Sequence, residues 1–465
     1  MIRTMLLRLG VAVAIVAAAL AVWLLVAPPD ILRVAGGYAA KIVCSSHFIA
    51  GRDPAEVLAV DVQAPGHPIL KLVSVTVNEA EGVVRSKLFG LFPLGVAVNR
   101  RGLGCTLAPD GDVARARAVQ LAEQPVIETP EHALWPDGDW VNAEPDAALQ
   151  SVLEDAALAG PGMRAVVVLK NGAIVAEQYG EGFDENSPLL GWSMAKTVNA
   201  VLMGIVLDRQ SLAVEQTTLF PQWANDARRN VTITSMLSML SGLKFNEDYG
   251  DVSDVNRMLF LEPDMAAFAA SQPSVAEPGA VFNYSSGTAV MLARLWMDAL
   301  PDQQSALRFP REALFGPLGM TSAVLETDAT GTFVGGSYMY ATARDWARFG
   351  QFLLEFGVDE DLVEGYTGIG RKVRSTGGRL MRVSNGLPGG YSQFQTWLLG
   401  PHESEPGEVP VGLPEGTFWL EGHDGQSIAI VPLESLVVVR LGLTPWRENY
   451  WPEKLVQAVI GAVRQ

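Results

Sequence analysis

Gly191-Trp192-Ser193-Met194-Ala195-Lys196 runs on as Thr197-Val198-Asn199-Ala200-Val201-Leu202-Met203-Gly204-Ile205-Val206-Leu207-Asp208. From Ser193 to Asp208 the stretch is apolar nearly all round, the pattern of a helix buried on every side. Ser193 stands at its start, where free backbone N–H groups and the positive helix end favour an anion. Lys196 is three residues on and projects from the same face, within reach of the Ser193 hydroxyl. A charged ammonium is costly in such surroundings, so the lysine is pushed towards its neutral, basic form. Ser-x-x-Lys is the arrangement of a class of active-site serine enzymes. A helix-capping serine beside a surface lysine has the same spacing. A Gly-x-Ser-x-Gly elbow fits poorly, because the fifth position is Ala195 and no strand immediately precedes it.

Two further stretches could complete a site. Tyr284-Ser285-Ser286 follows Pro278-Gly279 and Phe282-Asn283 at a loop-to-helix junction. Tyr284 there can present its phenol to a cleft, with the phenolate favoured if cations surround it, and Ser286 can bond a lysine or a substrate. Gly422-His423-Asp424-Gly425-Gln426 lies between two strand-like runs near the C-terminus. Glycines on an edge strand let a substrate backbone approach. A backbone N–H there, with that of Ser193, could form an oxyanion hole. A core tyrosine with serine caps, and a β-turn with an exposed histidine, are the structural alternatives.

Outward from these, Ala165–Leu169, the turn Lys170-Asn171-Gly172 and Ala173–Tyr179 read as a hairpin. Ala147–Leu158, Ile233–Leu240, Gly287–Leu300, Ala343–Phe356 and Leu455–Val463 read as helices. Thr417–Leu420, Ser427–Val431 and Leu436–Leu441 read as strands. Strands at both ends with helices between predict an α+β unit over 146–465, with one antiparallel sheet built from the two ends and a helical insertion. Residues 28–145 form a β-rich N-terminal region and linker. Val57–Val62, Leu70–Val77 and Val83–Val98 read there as strands, and the proline-rich Pro125–Asp139 as a wrapping loop.

The chain has 465 residues, 49% hydrophobic and 18% charged, which excludes a disordered chain. A net charge of −17 argues against nucleic-acid binding. Five His and two Cys, without CxxC or HExxH, offer little to a metal. Residues 1–27 carry Arg3 and Arg8 before an unbroken apolar stretch, Val11–Ala27. Counted from Met5, the segment is long enough as a helix, roughly 34 Å, to span a bilayer. The preceding arginines would leave the rest of the chain outside the cytoplasm, anchored on the periplasmic face. A cleaved signal, giving a secreted form, is the alternative. In that compartment Cys44 and Cys105 would form one disulfide, the other reading being two buried thiols.

Ser193-x-x-Lys196, then Tyr284-Ser285-Ser286, then His423-Asp424-Gly425, in that order and spacing, resemble the β-lactamase-related serine hydrolases. These comprise class C β-lactamases, DD-peptidases, family VIII esterases and 6-aminohexanoate-dimer hydrolase. Leu237-Ser238-Met239-Leu240-Ser241-Gly242-Leu243 and Gly335-Gly336-Ser337-Tyr338-Met339-Tyr340-Ala341-Thr342-Ala343-Arg344-Asp345 support the resemblance, and Gly-His-Asp-Gly-Gln is most similar to the 6-aminohexanoate-dimer hydrolase branch. The resemblance implies a β-lactamase/transpeptidase-like fold, an antiparallel sheet flanked by helices plus an all-helical subdomain. It implies Ser193 as nucleophile, Lys196 as its proton acceptor, Tyr284 as second acid/base and the Gln426 N–H as oxyanion donor. Trp192, Ser286, His423, Gly425 and Gln426 would line the substrate. The small-molecule substrate is an amide or ester, and no cofactor or metal is implied. Two positions depart from the class C pattern: Ser286 replaces Asn, and His423-Asp424-Gly425 replaces Lys-Thr-Gly. Both changes speak against β-lactams as substrates. The rival functions are a catalytically silent peptidoglycan- or protein-binding receptor and a cell-wall DD-peptidase or transpeptidase.

Overall fold

The computed structural model describes residues 2–128, 130, 132–141, 146–209, 212–356, 363–373, 390–401 and 412–464. The chain divides into two compact units. The first comprises Met1–Arg100, Cys105–Ala118 and Asp248–Pro263, and the second Arg101–Gly104, Val119–Glu247 and Asp264–Gln465. Residues 119–141 thus belong to the second unit, and the boundary expected at 145 falls outside the described residues.

In the first unit an apolar helix, Ile2–Val26, leads into a second helix, Asp30–Phe48. Four strands follow as one sheet in the order of the chain: β1 (Val73–Asn78), β2 (Val83–Leu88), β3 (Phe92–Arg100) and β4 (Gly104–Leu107). The helix Asp30–Phe48 was not foreseen, because its small residues carry little apolar periodicity. Those small residues are what let it pack: Gly36 and Gly37 meet Gly95 of β3 so closely that a Cβ on Gly95 would lie 2.8 Å from the Gly36 backbone. Cys44 on this helix is bridged to Cys105 on β4. The helix Asp254–Leu261, supplied from far along the chain, packs on the same helix, and Arg257 Nη1 reaches Asp30 Oδ2 at 2.7 Å. Val57–Val62 is helical, not a strand. Asp53 accepts from the N–H groups of Ala55 and Glu56, Pro54 sits in the first turn, and Val57, Asp61 and Val62 are buried at helical spacing. Of Leu70–Val77 only the part from Val73 is strand, since Pro68 starts a 3-10 turn through Leu72.

In the second unit β5 (Met163–Lys170) and β6 (Ala173–Tyr179) form the expected hairpin, with Asn171 and Gly172 both at positive φ as a type I′ turn requires. Short strands β7 (Leu189–Leu190), β8 (Val324–Leu325) and β9 (Met339–Ala341) make a three-stranded sheet. The C-terminal strands β10 (Phe418–Gly422), β11 (Gln426–Val431) and β12 (Leu436–Gly442) join the hairpin in a five-stranded antiparallel sheet, β10-β11-β12-β5-β6. The two ends of the unit therefore build one sheet. Alternation divides its side chains. Val166, Val168, Ala429 and Val438 bury against the helices Ala147–Glu154 and Pro452–Val463. Ile428 and Val437 face the helix Ala343–Glu355, whose Gly350 comes so close that a Cβ would lie 2.6 Å from Val437 Cγ1. Between the two halves of the sheet the chain is mainly helical, including the buried helices Ala195–Asp208 and Ser286–Asp298.

Candidate active site

The turn that carries Ser193 is built by contact between backbones. Gly191 donates its N–H to the Met339 carbonyl of β9. A Cβ on Gly422, the last residue of β10, would lie 2.2 Å from the Gly191 carbonyl oxygen. Trp192 then takes a positive φ of 48°, a costly conformation for a bulky residue. A 3-10 turn, Trp192–Met194, carries Ser193 before the helix proper begins at Ala195. Ser193 keeps partial exposure while Trp192 is buried between Tyr338 and His423.

Lys196 is wholly buried. Its Nζ lies 2.9 Å from Ser193 Oγ, 3.0 Å from Ser286 Oγ and 2.9 Å from the Gly336 carbonyl oxygen. An ammonium has three N–H bonds, and these three acceptors use all of them. Nζ also stands 4.6 Å from the centre of the Tyr284 ring. Burial lowers the Lys196 pKa to about 8, against the opposing charge of Glu247. A substantial share of neutral amine is therefore present at mildly alkaline pH, in contact with the serine hydroxyl. Gly335-Gly336 is small for a reason: a Cβ on Gly335 would strike the Asn199 side chain at 2.5 Å. Asn199 itself ties the two buried helices together through the Ala289 carbonyl and Trp296 Nε1.

Tyr284 keeps partial exposure beside Ser193. Burial, and then the charge of Glu247, raise its pKa, while a hydrogen bond with Ser193 works the other way. The phenol is thus protonated at neutral pH, and the surroundings do not favour the phenolate: the lysine lies over the ring face and a carboxylate opposes ionisation. Trp397 and Tyr391 flank Tyr284, with ring centroids at 5.3 and 5.6 Å. Ser285 caps the following helix by accepting from Thr288 N–H. Ser286 is fully buried, so it belongs to the interior network around Lys196 rather than to a substrate-lining surface.

Glu247 was not foreseen. It accepts from the Ser286 N–H at 2.8 Å and from the Ser286 hydroxyl, linking a carboxylate to the Lys196 cluster through one serine. A lone Glu in a loop has no periodicity or spacing to mark it; its nearest signal is that it follows the Leu237–Leu243 stretch.

His423-Asp424-Gly425 forms a 3-10 turn between β10 and β11, not a strand. Asp424 has φ 59°, and this brings its carboxylate within 3.4 Å of His423 Nε2 instead of aiming it to the opposite face. The His423 ring packs edge-on against Trp192 with centroids 5.5 Å apart. Gly425 faces Arg440, which donates to its carbonyl. The Gln426 side chain is turned into the hairpin. It donates to the carbonyls of His423, Asp424 and Gly442 and accepts from the Gly442 N–H. Of this motif it is Gly422 and His423 that touch the Gly191-Trp192 segment, while Gly425 and Gln426 shape the turn.

Residues 152–442, more than half of the chain, match the profile of the Beta-lactamase family. The chain belongs to the β-lactamase family. A 6-aminohexanoate-dimer hydrolase from Paenarthrobacter ureafaciens is 25% identical over 312 residues, 60% of this chain and 72% of the relative. A solved Bacillus anthracis structure, provisionally named a 6-aminohexanoate-dimer hydrolase, superposes with a TM-score of 0.54 at 20% identity, covering 77% of this chain and 94% of the other. A class C β-lactamase from Rhodobacter sphaeroides gives 0.47 at 17% identity, over 69% of this chain and 99% of that one. As a β-lactamase-family chain it has the fold of these serine hydrolases.

Proposed function

We propose that the protein hydrolyses an amide or ester through an acyl-enzyme on Ser193. The observation that carries this reading is the buried Lys196 amine, 2.9 Å from the hydroxyl of a serine that remains partly exposed. In the forward step neutral Lys196 takes the Ser193 proton as Oγ attacks the carbonyl carbon. The Tyr284 phenol, protonated and bonded to Ser193, passes a proton to the leaving group and is refilled from Lys196. Water then attacks the acyl-enzyme by the reverse route. Ser286 and Glu247 hold the lysine in place. Backbone N–H groups of Ser193 and of the Gly422–Gln426 segment would receive the oxyanion.

The name of the Paenarthrobacter relative favours a linear amide. His423 stands where a permanently charged lysine would hold a β-lactam carboxylate. With Asp424 at 3.4 Å it is a poor anchor for an anion. The helix Arg3–Val26 is 24 residues long with a mean hydropathy of 2.8 and none of it is buried, a membrane anchor or signal by length and composition. Arg3 and Arg8 before the apolar run favour an anchor that leaves the hydrolase on the periplasmic side.

Treating the full chain with a fluorophosphonate and mapping the adduct by mass spectrometry tests this reading. Modification at Ser193 is expected. A chain that stays unmodified, or is modified elsewhere, overturns it in favour of a silent binding protein.

A further inference from the structure

We infer that the turn joining β2 to β3 is a second membrane contact, dipping into the outer leaflet of the bilayer that the first helix crosses. The inference rests on the anchor reading above.

The turn is Leu88-Phe89-Gly90-Leu91, closed by a bond from the Leu91 N–H to the Leu88 carbonyl. Phe89 and Leu91 are 60% and 72% exposed. Leu72, whose carbonyl accepts from the Phe89 N–H, adds a third exposed apolar side chain. Together they form an apolar cap at one end of the sheet. Its backbone is unusual. Phe89 and Gly90 both have positive φ, 52° and 71°, as in a type I′ turn, whose first position normally takes Asn, Asp or Gly. A phenylalanine there is held in a strained conformation. In water it also leaves an aromatic ring unburied.

The position of the cap supplies the partner. The first helix comes against β3, the strand that begins directly after the turn. Among residues 3–26 Ala21 and Leu24 are half-buried and the rest exposed, the two lying one helical turn apart near the C-terminal end. They lie about 3–8 Å back from Val26 along the helix axis, inside the apolar run. A strand in contact with this apolar helix lies at the level where the hydrocarbon ends. Lys71 and Lys87 flank the cap, placed to meet lipid phosphates. The far turn of the same sheet, about 20 Å away along β1, carries Glu79 and Glu81 instead. At that far end Glu79 is paired with His47, and Glu81 stands near Arg85 and Arg117, so the apolar cap with its lysines is the end suited to lie on a bilayer.

The test places single nitroxide labels on the full chain in vesicles of phosphatidylethanolamine with some phosphatidylglycerol. Leu91→Cys and Phe89→Cys report the cap, Ala80→Cys the far turn and Leu20→Cys the first helix. The native cysteines are bridged, so labelling without reductant is selective. Each label is read by its ratio of collision rates with oxygen and with a water-soluble nickel chelate. The expected result is a ratio several-fold higher at Leu91 or Phe89 than at Ala80, with Leu20 higher still. Equal ratios at the cap and at Ala80, with Leu20 oxygen-rich, overturn the inference and leave the anchor standing. A chelate-accessible Leu20 removes the anchor and the inference together.

Discussion

Lys41 and Lys196 look alike locally. Each is buried in an apolar helix, one in each unit, and each has its amine against a serine hydroxyl: Ser45 at 2.8 Å for Lys41, Ser193 at 2.9 Å for Lys196. The serines differ. Ser45 has no exposure at all, whereas Ser193 sits on a strained turn at the mouth of its helix and remains accessible. Burial of a lysine beside a serine is therefore not what makes a site. On the proposed reading, what separates the two is the hydroxyl at the end of a helix with the amine inside it, so that desolvation acts on the base while the nucleophile can still meet a substrate.

The most direct way to break this comparison is to remove each hydroxyl. Ser193→Ala should cost about four orders of magnitude or more in ester hydrolysis. Ser45→Ala should leave the rate unchanged and lower the thermal midpoint, since a buried amine loses an acceptor, at about 1–3 kcal/mol. A loss of less than about tenfold in Ser193→Ala would end the nucleophile assignment. The amines should separate in the same way: Lys196→Met loses about three orders of magnitude in kcat/KM, and Lys41→Met changes it less than about twofold if the first unit takes no part in the chemistry. Tyr284→Phe should slow acylation by about 10–100-fold in single-turnover kinetics. A near-native rate would make the phenol structural, with Lys196 working alone.

Smaller effects sharpen the picture of the site. With a p-nitrophenyl ester and a chromogenic cephalosporin, kcat/KM should favour the ester. A preference of about tenfold for the cephalosporin, ~1.4 kcal/mol of transition-state binding, would overturn the reading of His423-Asp424-Gly425. The smallest effect concerns pH. If Lys196 is the base, it acts when deprotonated, so kcat/KM should rise with pH through about 8. Glu247 raises that pKa, so Glu247→Gln should lower it and move the acidic limb to lower pH. A limb that stays in place or moves upward would show that Glu247 only positions Ser286.

Much of the second unit was legible because its signals are local. The Asn171-Gly172 hairpin, the short apolar runs of β11 and β12, and the apolar helix after Ser193 each follow from local sequence. The first unit was less so. Asp53-Pro54 overrode the β-branched residues of Val57–Val62, and the glycine-bearing helix Asp30–Phe48 gave no amphipathic pattern to read. Phe89 at a positive φ and the return of Asp254–Leu261 to the first unit had no sequence mark.

Within the site, residue types and their spacing by themselves determined that Ser193 and Lys196 share a helix face, because three residues on an α-helix is a near-complete turn. They also determined the antiparallel hairpin and the apolar first helix. Only the tertiary structure decided the state of each group. Lys196 has a pKa near 8 because helices and the Gly336 loop exclude water from it. The Tyr284 phenol stays protonated because of that same enclosure together with the charge of Glu247. Gln426 braces a turn because Asp424 bends the chain between β10 and β11. Desolvation and long-range charge depend on which segments meet, and local spacing in the chain does not encode that.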